Sequence, residues 1–330
     1  MERHLNYFKC ALLGWTAVLI AIGVVRFASA QDYPNKPVRI IVPTAPGGLM
    51  DVPARLVADH LDRAFGQRML VENRSGGGGN LGVEAIAKAA PDGYTIGLIQ
   101  LGNVAINPYI FKDLGFDALT DLVPVAPLTS SPVLVVVNAN MPVKNLAEFI
   151  ALAKREQGKI NHGSAGIATV PHFAGELFAQ KAGVKLTHVQ YRGAGPAVTD
   201  LVGGQVQVVF VGYGAVRPHI AAGKLRALAV AQARRLQSAP DIPTADEAGL
   251  PGFEFTTWFG VVAPKGTPDS VVAILTRQIH AWQDDGAVQK RLSEGGMEAL
   301  KETSAQFRER IRRDNDRFRD VVKAMGLKQE

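Results

Sequence analysis

The stretch VRIIVPTAPGGLMDVPARLVADHLDRAFG, residues 38–66, decides the fold because it contains one complete strand–turn–helix unit. Its first residues, Val38–Val42, are mostly β-branched and apolar, which favours a buried strand. Prolines and glycines at 43–48 then interrupt the strand. Apolar residues recur at helical spacing over 53–64, and Gly66 is placed to end the helix. The stretch therefore predicts a strand that passes through a glycine-rich turn into a helix.

The same unit recurs along the chain. Residues 69–72 predict a second strand, 73–80 a glycine-rich loop, 81–90 a helix and 95–99 another strand. Strands that alternate with helices of this length are typical of parallel βαβ units. The run VLVVV at 133–137 predicts a buried strand near the crossing into a second domain, which repeats the pattern.

The length of 330 residues is too great for one ordinary core and predicts two α/β domains. The strand predicted at 259–264 leads back, and the helical remainder from 268 to 327 is expected to pack on the first domain. Two crossings of this kind make a hinge with a cleft between two lobes. We expect lobe 1 to comprise 31–130 plus 256–330, and lobe 2 to comprise 131–255.

The N-terminus is typical of a secretory signal. A basic start is followed by an apolar run of fifteen residues, 11–25, and by the small residues 28–30, which predicts cleavage before Gln31 and export to the periplasm. Arg26 is atypical of a cleavage region. A membrane anchor is the alternative, but the run is shorter than the roughly 20 residues that span a bilayer.

Composition excludes several kinds of chemistry. Cys10 is the single cysteine and lies in the segment expected to be removed, so the mature chain has no disulfide and no thiolate nucleophile. Loss of residues 1–30 removes three basic residues and one acid, which lowers the net charge from +6 to +4. The densest basic stretch, 308–317, alternates with acids and indicates a solvated helix face, so no nucleic-acid partner is expected. The histidines lack ligand spacing, and no metal or other cofactor is expected.

The glycines of 77–82 imitate a dinucleotide-binding fingerprint. However, Leu101, Gly102 and Asn103 stand where the acid that binds the ribose would follow the next strand. An exported protein would also lack a cytoplasmic cofactor pool. A nicotinamide-dependent dehydrogenase is therefore not favoured.

Candidate ligand-binding residues gather where strands pass into helices. Ligands of parallel sheets bind beyond the carboxyl ends of the strands, where helix N-termini offer unpaired N–H groups to anions. The residues in question are Thr44, Pro46, Gly47, Gly48, Asp51, Gly102, Asn103, Ser164, Thr169 and His172, with Gln207 and Tyr213 as weaker candidates beside a later strand. Local roles are the alternative: Asp51 as a helix cap and His172 as a packed side chain.

A secreted serine hydrolase is the alternative function. The sequence HGSAG at 162–166 approaches a nucleophile elbow around Ser164, but His162 occupies the position of the first glycine. Sequence order identifies no acid–base partner for the serine.

Six segments together resemble the periplasmic solute-binding proteins of tripartite tricarboxylate transporters, the Bug family. They are residues 42–51, 71–79, 105–108, 163–166 with Thr169 and His172, 191–197 and 258–260. Each segment alone is weak, but their joint order is specific, and the resemblance covers essentially the whole mature chain.

The resemblance implies a Venus-flytrap fold of two α/β lobes, each a mostly parallel sheet flanked by helices. It implies that a small carboxylate is held in the cleft by backbone amides, hydroxyls and bridging waters, and is delivered to membrane transporter subunits without catalysis. Lobe 1 would contribute Thr44, Gly47, Gly48, Asp51, Gly102 and Asn103, and lobe 2 would contribute Ser164, Thr169 and His172. A monomer is expected, and a sensory role is an alternative to transport.

The chain also departs from the family pattern. Val211 follows Phe210 where the family usually has an acid, Gln207 replaces a common aspartate, and Ala168 replaces a usual glycine. We therefore expect a plain mono- or dicarboxylate, including aromatic ones, rather than an amino acid.

Overall fold

The computed structural model describes residues 33–47, 49–167 and 169–324. In chain order, the strands are β1 (Val38–Val42), β2 (Met69–Asn73), β3 (Thr95–Gln100), β4 (Leu122–Asn138), β5 (Asn161–Ser164), β6 (Thr187–Gln190), β7 (Val208–Gly212), β8 (Leu225–Val230), β9 (Thr256–Pro264) and β10 (Glu298–Ala299). The α-helices are α1 (Asp51–Phe65), α2 (Asn80–Ala87), α3 (Leu101–Ala105), α4 (Leu146–Arg155), α5 (Val170–Ala182), α6 (Ala194–Val202), α7 (Tyr213–Ala221), α8 (Asp269–Asp284), α9 (Gly286–Glu294) and α10 (Ser304–Ala324).

The strands form two lobes that share β4. In lobe 1 the order is β2-β1-β3-β9-β4, where β1 lies parallel to β2 and β3, and β9 lies antiparallel to β3 and β4. In lobe 2, β5 lies parallel to β6 and β7, and the second half of β4 lies antiparallel to β7 and β8. This arrangement confirms the predicted two-lobed α/β fold with two crossing strands.

The crossing is built from β4 and β9. Ser130, Ser131 and Pro132 of β4 pair with β9, and Val133 pairs with Gly212 of β7. The predicted strand at 133–137 is therefore the second half of a strand of 17 residues, which begins at Leu122. The first half of β4 was not predicted, because Pro124, Pro127 and Ser130 are residues that usually interrupt strands. The lobe boundaries at 130/131 and 255/256 stay a prediction.

The C-terminal region differs in detail from the expected helical remainder. It contains three helices and the short strand β10, which pairs with β4. The last helix, α10, packs on lobe 1 and also reaches lobe 2, where the ring of Phe318 lies 5.5 Å from that of Phe173. Among the described residues, none of the helices is both long and apolar enough to cross a membrane.

Trp258 anchors α10 to the crossing strands. Its side chain is buried, its Nε1 donates to Asp314 Oδ2 at 2.8 Å, and its ring meets Phe307 edge-on at 5.2 Å. These contacts make Trp258 a packing residue of the crossing strands. Gly260 lies beneath the same phenylalanine, and a Cβ at Gly260 would lie 2.2 Å from Phe307 Cζ.

We predict that Gly260→Ala destabilises the fold by about 1–3 kcal/mol, because the added methyl group overpacks a filled core. Gly286→Ala is the matched control, since a Cβ there would have no heavy atom within 4 Å. Urea unfolding followed by circular dichroism gives both values. Equal midpoints for the two variants would contradict the assigned packing.

Candidate functional site

The loop between β1 and α1 is held by Asp51, whose side chain is only 3 % exposed. Its Oδ2 accepts hydrogen bonds from Gly47 N–H and Arg55 Nε, both at 2.9 Å, and its Oδ1 accepts one from Asn73 Nδ2 at 2.9 Å. Burial alone would raise the pKa of Asp51, but the hydrogen bonds from Arg55, Gly47 and Asn73 outweigh it and lower the pKa. The carboxylate thus orders the loop with both of its oxygens.

Thr44 and Gly47 lie in the same loop. Asn73 Nδ2 also donates to Thr44 O at 3.0 Å, so the end of β2 supports the loop that follows β1. The Thr44 hydroxyl is buried and has no hydrogen-bond partner among the described residues. Gly47 has φ +78°, and a Cβ there would meet no atom within 4 Å. Pro46 is exposed, and Gly48 lies outside the described residues.

Asn103 joins the start of α3 to the glycine-rich loop. Its Oδ1 accepts from Gln100 N–H at 3.3 Å and its Nδ2 donates to Gly78 O at 3.2 Å. The neighbouring Asn107 donates to Asn80 Oδ1 at 2.6 Å, so buried amides hold this junction. Gly102 is buried, yet a Cβ there would meet no atom within 4 Å, which leaves room beside the first turn of α3.

In lobe 2, the loop after β5 is organised by Ser164. Its fully buried Oγ lies 2.6 Å from His188 Nε2 and 3.2 Å from Gly166 O, and it accepts from Gly166 N–H at 3.1 Å. Thr169, at the start of α5, donates its hydroxyl to Gly166 O at 2.7 Å. Both hydroxyls are therefore engaged in shaping the loop.

Three histidine rings pack behind this loop. His172 stacks on His188 with centroids 4.0 Å apart, and His162 lies 5.4 Å from His188. Burial, together with the neighbouring imidazoles, lowers the pKa of His162 to about 3 and that of His172 to about 4. His172 Nε2 also lies 3.9 Å from Glu176 Oε1. His172 is thus a buried neutral ring in the wall of the loop.

His188 was missed by sequence reasoning. Its strand, β6, is flanked by polar residues, so nothing marks one face as buried. The signal that could have identified His188 is its pairing with His162 across the parallel strands β5 and β6. To use this signal, one must know the register of the two strands. Arg55 and Asn73, which order the first loop, were also missed, although Arg55 lies one helical turn after Asp51.

The contact between Ser164 and His188 is the one that a nucleophile and its general base would need. However, Ser164 has no exposed surface, and its hydroxyl also contacts both polar backbone groups of Gly166. A substrate carbonyl cannot approach an oxygen enclosed in this way without opening of the loop. The geometry is that of a loop support.

The two weaker candidates lie at opposite ends of β7. Gln207 stands before β7, where its Oε1 accepts from Asn161 N–H at 2.9 Å. Gly212 ends the same strand, about 16 Å away at the usual rise per residue. Val211 packs in the core of lobe 2, and the third departure from the family pattern, Ala168, lies outside the described residues. Tyr213 begins α7 and lies against Gly296 of lobe 1.

The lobes contact each other around these loops. A Cβ at Gly212 would lie 3.1 Å from Leu49 Cδ1, so the first loop of lobe 1 touches the end of β7 in lobe 2. At the far side, Gly214 N–H donates to Gly295 O at 3.0 Å and Arg217 Nη1 donates to Glu294 O at 2.9 Å. The first loop of lobe 1 therefore borders the interface between the lobes at the end of β7.

The described residues form no metal site, and the cavity lined by charged side chains lies away from this interface. Among the described residues, no cluster of three or more His, Cys, Asp or Glu side chains is arranged to hold a metal ion. A cavity of about 260 Å³ lies on the opposite face of the crossing strands, beside Ser130, Trp258 and the arginines of α10. The predicted signal segment lies outside the described residues.

We predict that the free energy of unfolding falls as the pH drops from 6.5 towards 4. Unfolded histidine titrates near pH 6.5, so below that pH the unfolded chain binds protons that native His162 and His172 do not bind until pH about 3 and about 4. Each group contributes up to about 1.4 kcal/mol per pH unit. His172→Gln should therefore have a shallower slope in urea titrations over this range, and an unchanged slope would contradict the burial of a neutral ring.

Comparisons with known proteins agree with this architecture. The chain matches the model of the tripartite tricarboxylate transporter family receptors over residues 53–327. It is 35% identical to protein BugT of Bordetella pertussis over 319 residues, which cover 96% of this chain and 98% of that protein.

Solved structures give the same result. The structure titled R. palustris Rpa4515 with adipate has a TM-score of 0.86 and 32% identity, and the match covers 91% of this chain and all of that one. MatC from Rhodopseudomonas palustris with bound malate has a TM-score of 0.81 and 33% identity, with 88% and 100% covered. The chain therefore belongs to the tripartite tricarboxylate transporter receptors, the Bug family of solute-binding proteins.

Proposed function

We propose that this protein is a periplasmic receptor that binds a small carboxylate between its lobes and delivers it to a tripartite tricarboxylate-type membrane transporter. The observation that carries the proposal is the contact of Leu49 with the end of β7. Through it, the glycine-rich loop at the start of α1 borders the other lobe. Helix N-termini in this position favour negative groups.

Backbone donors and hydroxyls are the proposed ligand contacts. Gly47 lets the loop approach a ligand closely, because its Cα faces open space. Thr44 supplies a buried hydroxyl, and Gly102 leaves room beside α3. Asp51, Ser164 and Thr169 act in this proposal by holding the two loops in shape, since their polar atoms already bond loop residues.

The proposed ligand is a mono- or dicarboxylate without an amino group. Asp51 is the only acid of the first loop, and Gly47, Arg55 and Asn73 already occupy its two oxygens. The loop thus offers an ammonium group no free carboxylate. Adipate and malate, the ligands in two structures of related proteins, are acids of this class.

Closure of the lobes over the ligand lets a transporter distinguish the occupied receptor from the empty one. A transporter can recognise the occupied receptor only if ligand binds the closed arrangement better than the open one. Contacts from both lobes to one ligand provide that difference. Export by the predicted signal segment, with cleavage before Gln31, would place the receptor in the periplasm.

We predict that a carboxylic acid from a panel containing adipate, malate, succinate, benzoate and aspartate raises the melting temperature. At a concentration 100 times the dissociation constant, the stabilisation is about 2.7 kcal/mol. For a chain of this size that corresponds to a rise of about 4 °C. A thermal-shift assay measures it.

A panel in which aspartate alone stabilises would contradict the proposed ligand class. Ester hydrolysis that is lost in Ser164→Ala would favour the hydrolase.

We predict that Gly47→Ala weakens binding of the stabilising acid about tenfold or more, because the methyl group projects into the space that the ligand approaches. Gly66→Ala is the matched control at the other end of α1. Its φ is +64° against +78° for Gly47, and a Cβ at either position meets no atom within 4 Å. The two variants should share the cost of a strained backbone. Equal affinities measured by calorimetry would mean that the first loop does not bind the ligand.

A further inference from the structure

A row of small residues crosses the molecule at the boundary between the lobes. Ser131 of β4 pairs with Thr257 of β9. Gly212 extends the row, since a Cβ there would lie 3.0 Å from Ser131 Oγ. The row therefore runs from the crossing strands β9 and β4 to the end of β7 in lobe 2.

Two residues of this row carry buried hydroxyls that the fold does not use. Ser131 is 1 % exposed and Thr257 is 3 % exposed. Neither hydroxyl has a hydrogen-bond partner among the residues that the structure describes, and the same is true of the Thr44 hydroxyl in the adjacent loop. Leaving a buried hydroxyl unpaired destabilises the fold. Buried polar groups are paired in the great majority of cases, so this pair requires a reason.

The direction of the two hydroxyls provides the reason. Successive side chains of a strand point to opposite faces. Ser130 and Trp258 face α10, where the tryptophan donates to Asp314. Ser131 and Thr257 must then face the other side, which is where Leu49 meets Gly212.

We propose that Ser131 and Thr257 form the floor of the ligand site and donate their hydroxyls to an oxygen of the bound carboxylate, directly or through one water. This inference rests on the proposed function and extends it to residues outside the glycine-rich loops. None of the three residues in the row carries a charge. The floor therefore stabilises an oxygen acceptor and offers an ammonium group no counter-charge, which reinforces selection of acids without amino groups.

The position of the floor also links binding to closure. The two hydroxyls are carried by the two strands that cross between the lobes, at the point where β4 leaves β9 for β7. An oxygen bound there contacts both crossing strands at once. Rotation of one lobe changes the spacing of Thr257 from Gly212, so the ligand is bound best at one lobe angle.

The test compares Ser131→Ala and Thr257→Val with Ser130→Ala, which removes a hydroxyl from the opposite face of the same strand. Calorimetry with adipate, malate and benzoate should give at least a tenfold loss of affinity in the first two variants for every acid that the wild-type protein binds. Ser130→Ala should remain within twofold of the wild type. Without ligand, the first two variants should melt at the wild-type temperature or above it, since each loses an unpaired buried hydroxyl.

Two outcomes would overturn the inference. One is unchanged affinity in both floor variants. The other is a lower melting temperature of ligand-free Thr257→Val and Ser131→Ala, which would assign both hydroxyls to the fold itself. A wild-type protein that binds none of the three acids would count against the proposed function, while the melting temperatures of the ligand-free variants would still decide the status of the hydroxyls.

Discussion

The antiparallel pairing of β4 with β9 is the constraint on which the rest of the molecule depends. It extends from Leu122 opposite Pro264 to Pro132 opposite Thr256, and β4 then continues into the sheet of lobe 2. One continuous strand therefore belongs to both sheets. Relative movement of the lobes must be absorbed where the pairing changes, at a backbone hydrogen bond of 3.0 Å from Val133 N–H to Phe255 O.

Both lobes use the same device to order their loops. In lobe 1 a carboxylate oxygen of Asp51 accepts the N–H of Gly47, and in lobe 2 the hydroxyl of Ser164 accepts the N–H of Gly166. A glycine-rich loop has many conformations, and a fixed acceptor removes most of them before a ligand arrives. Less conformational freedom is then lost on binding, so more of the interaction energy remains as affinity.

Sequence reasoning found the periodic features of this molecule and missed the paired ones. The strand–turn–helix units, the two lobes and the glycine-rich loops follow from local patterns around residues such as Val42 and Gly47. The full length of β4 did not, because its first half contains prolines at positions where strand pairing tolerates them. The roles of His188, Ser131 and Thr257 depend on which residue lies across from each in a neighbouring strand, and a single sequence does not state that register.

The helix α10 has a mechanical consequence for any opening of the lobes. Asn315 fastens it to lobe 1 through Val104 O and Tyr109, at 2.5 and 2.7 Å, while Phe318 one turn later rests on Phe173 of lobe 2. A continuous helix is stiff, so α10 cannot follow both lobes as they separate. On opening, either the ring of Phe318 slides past that of Phe173, or α10 separates from one of the lobes. The range of lobe opening is thus set by how far the edge-to-face rings of Phe318 and Phe173 can move against each other.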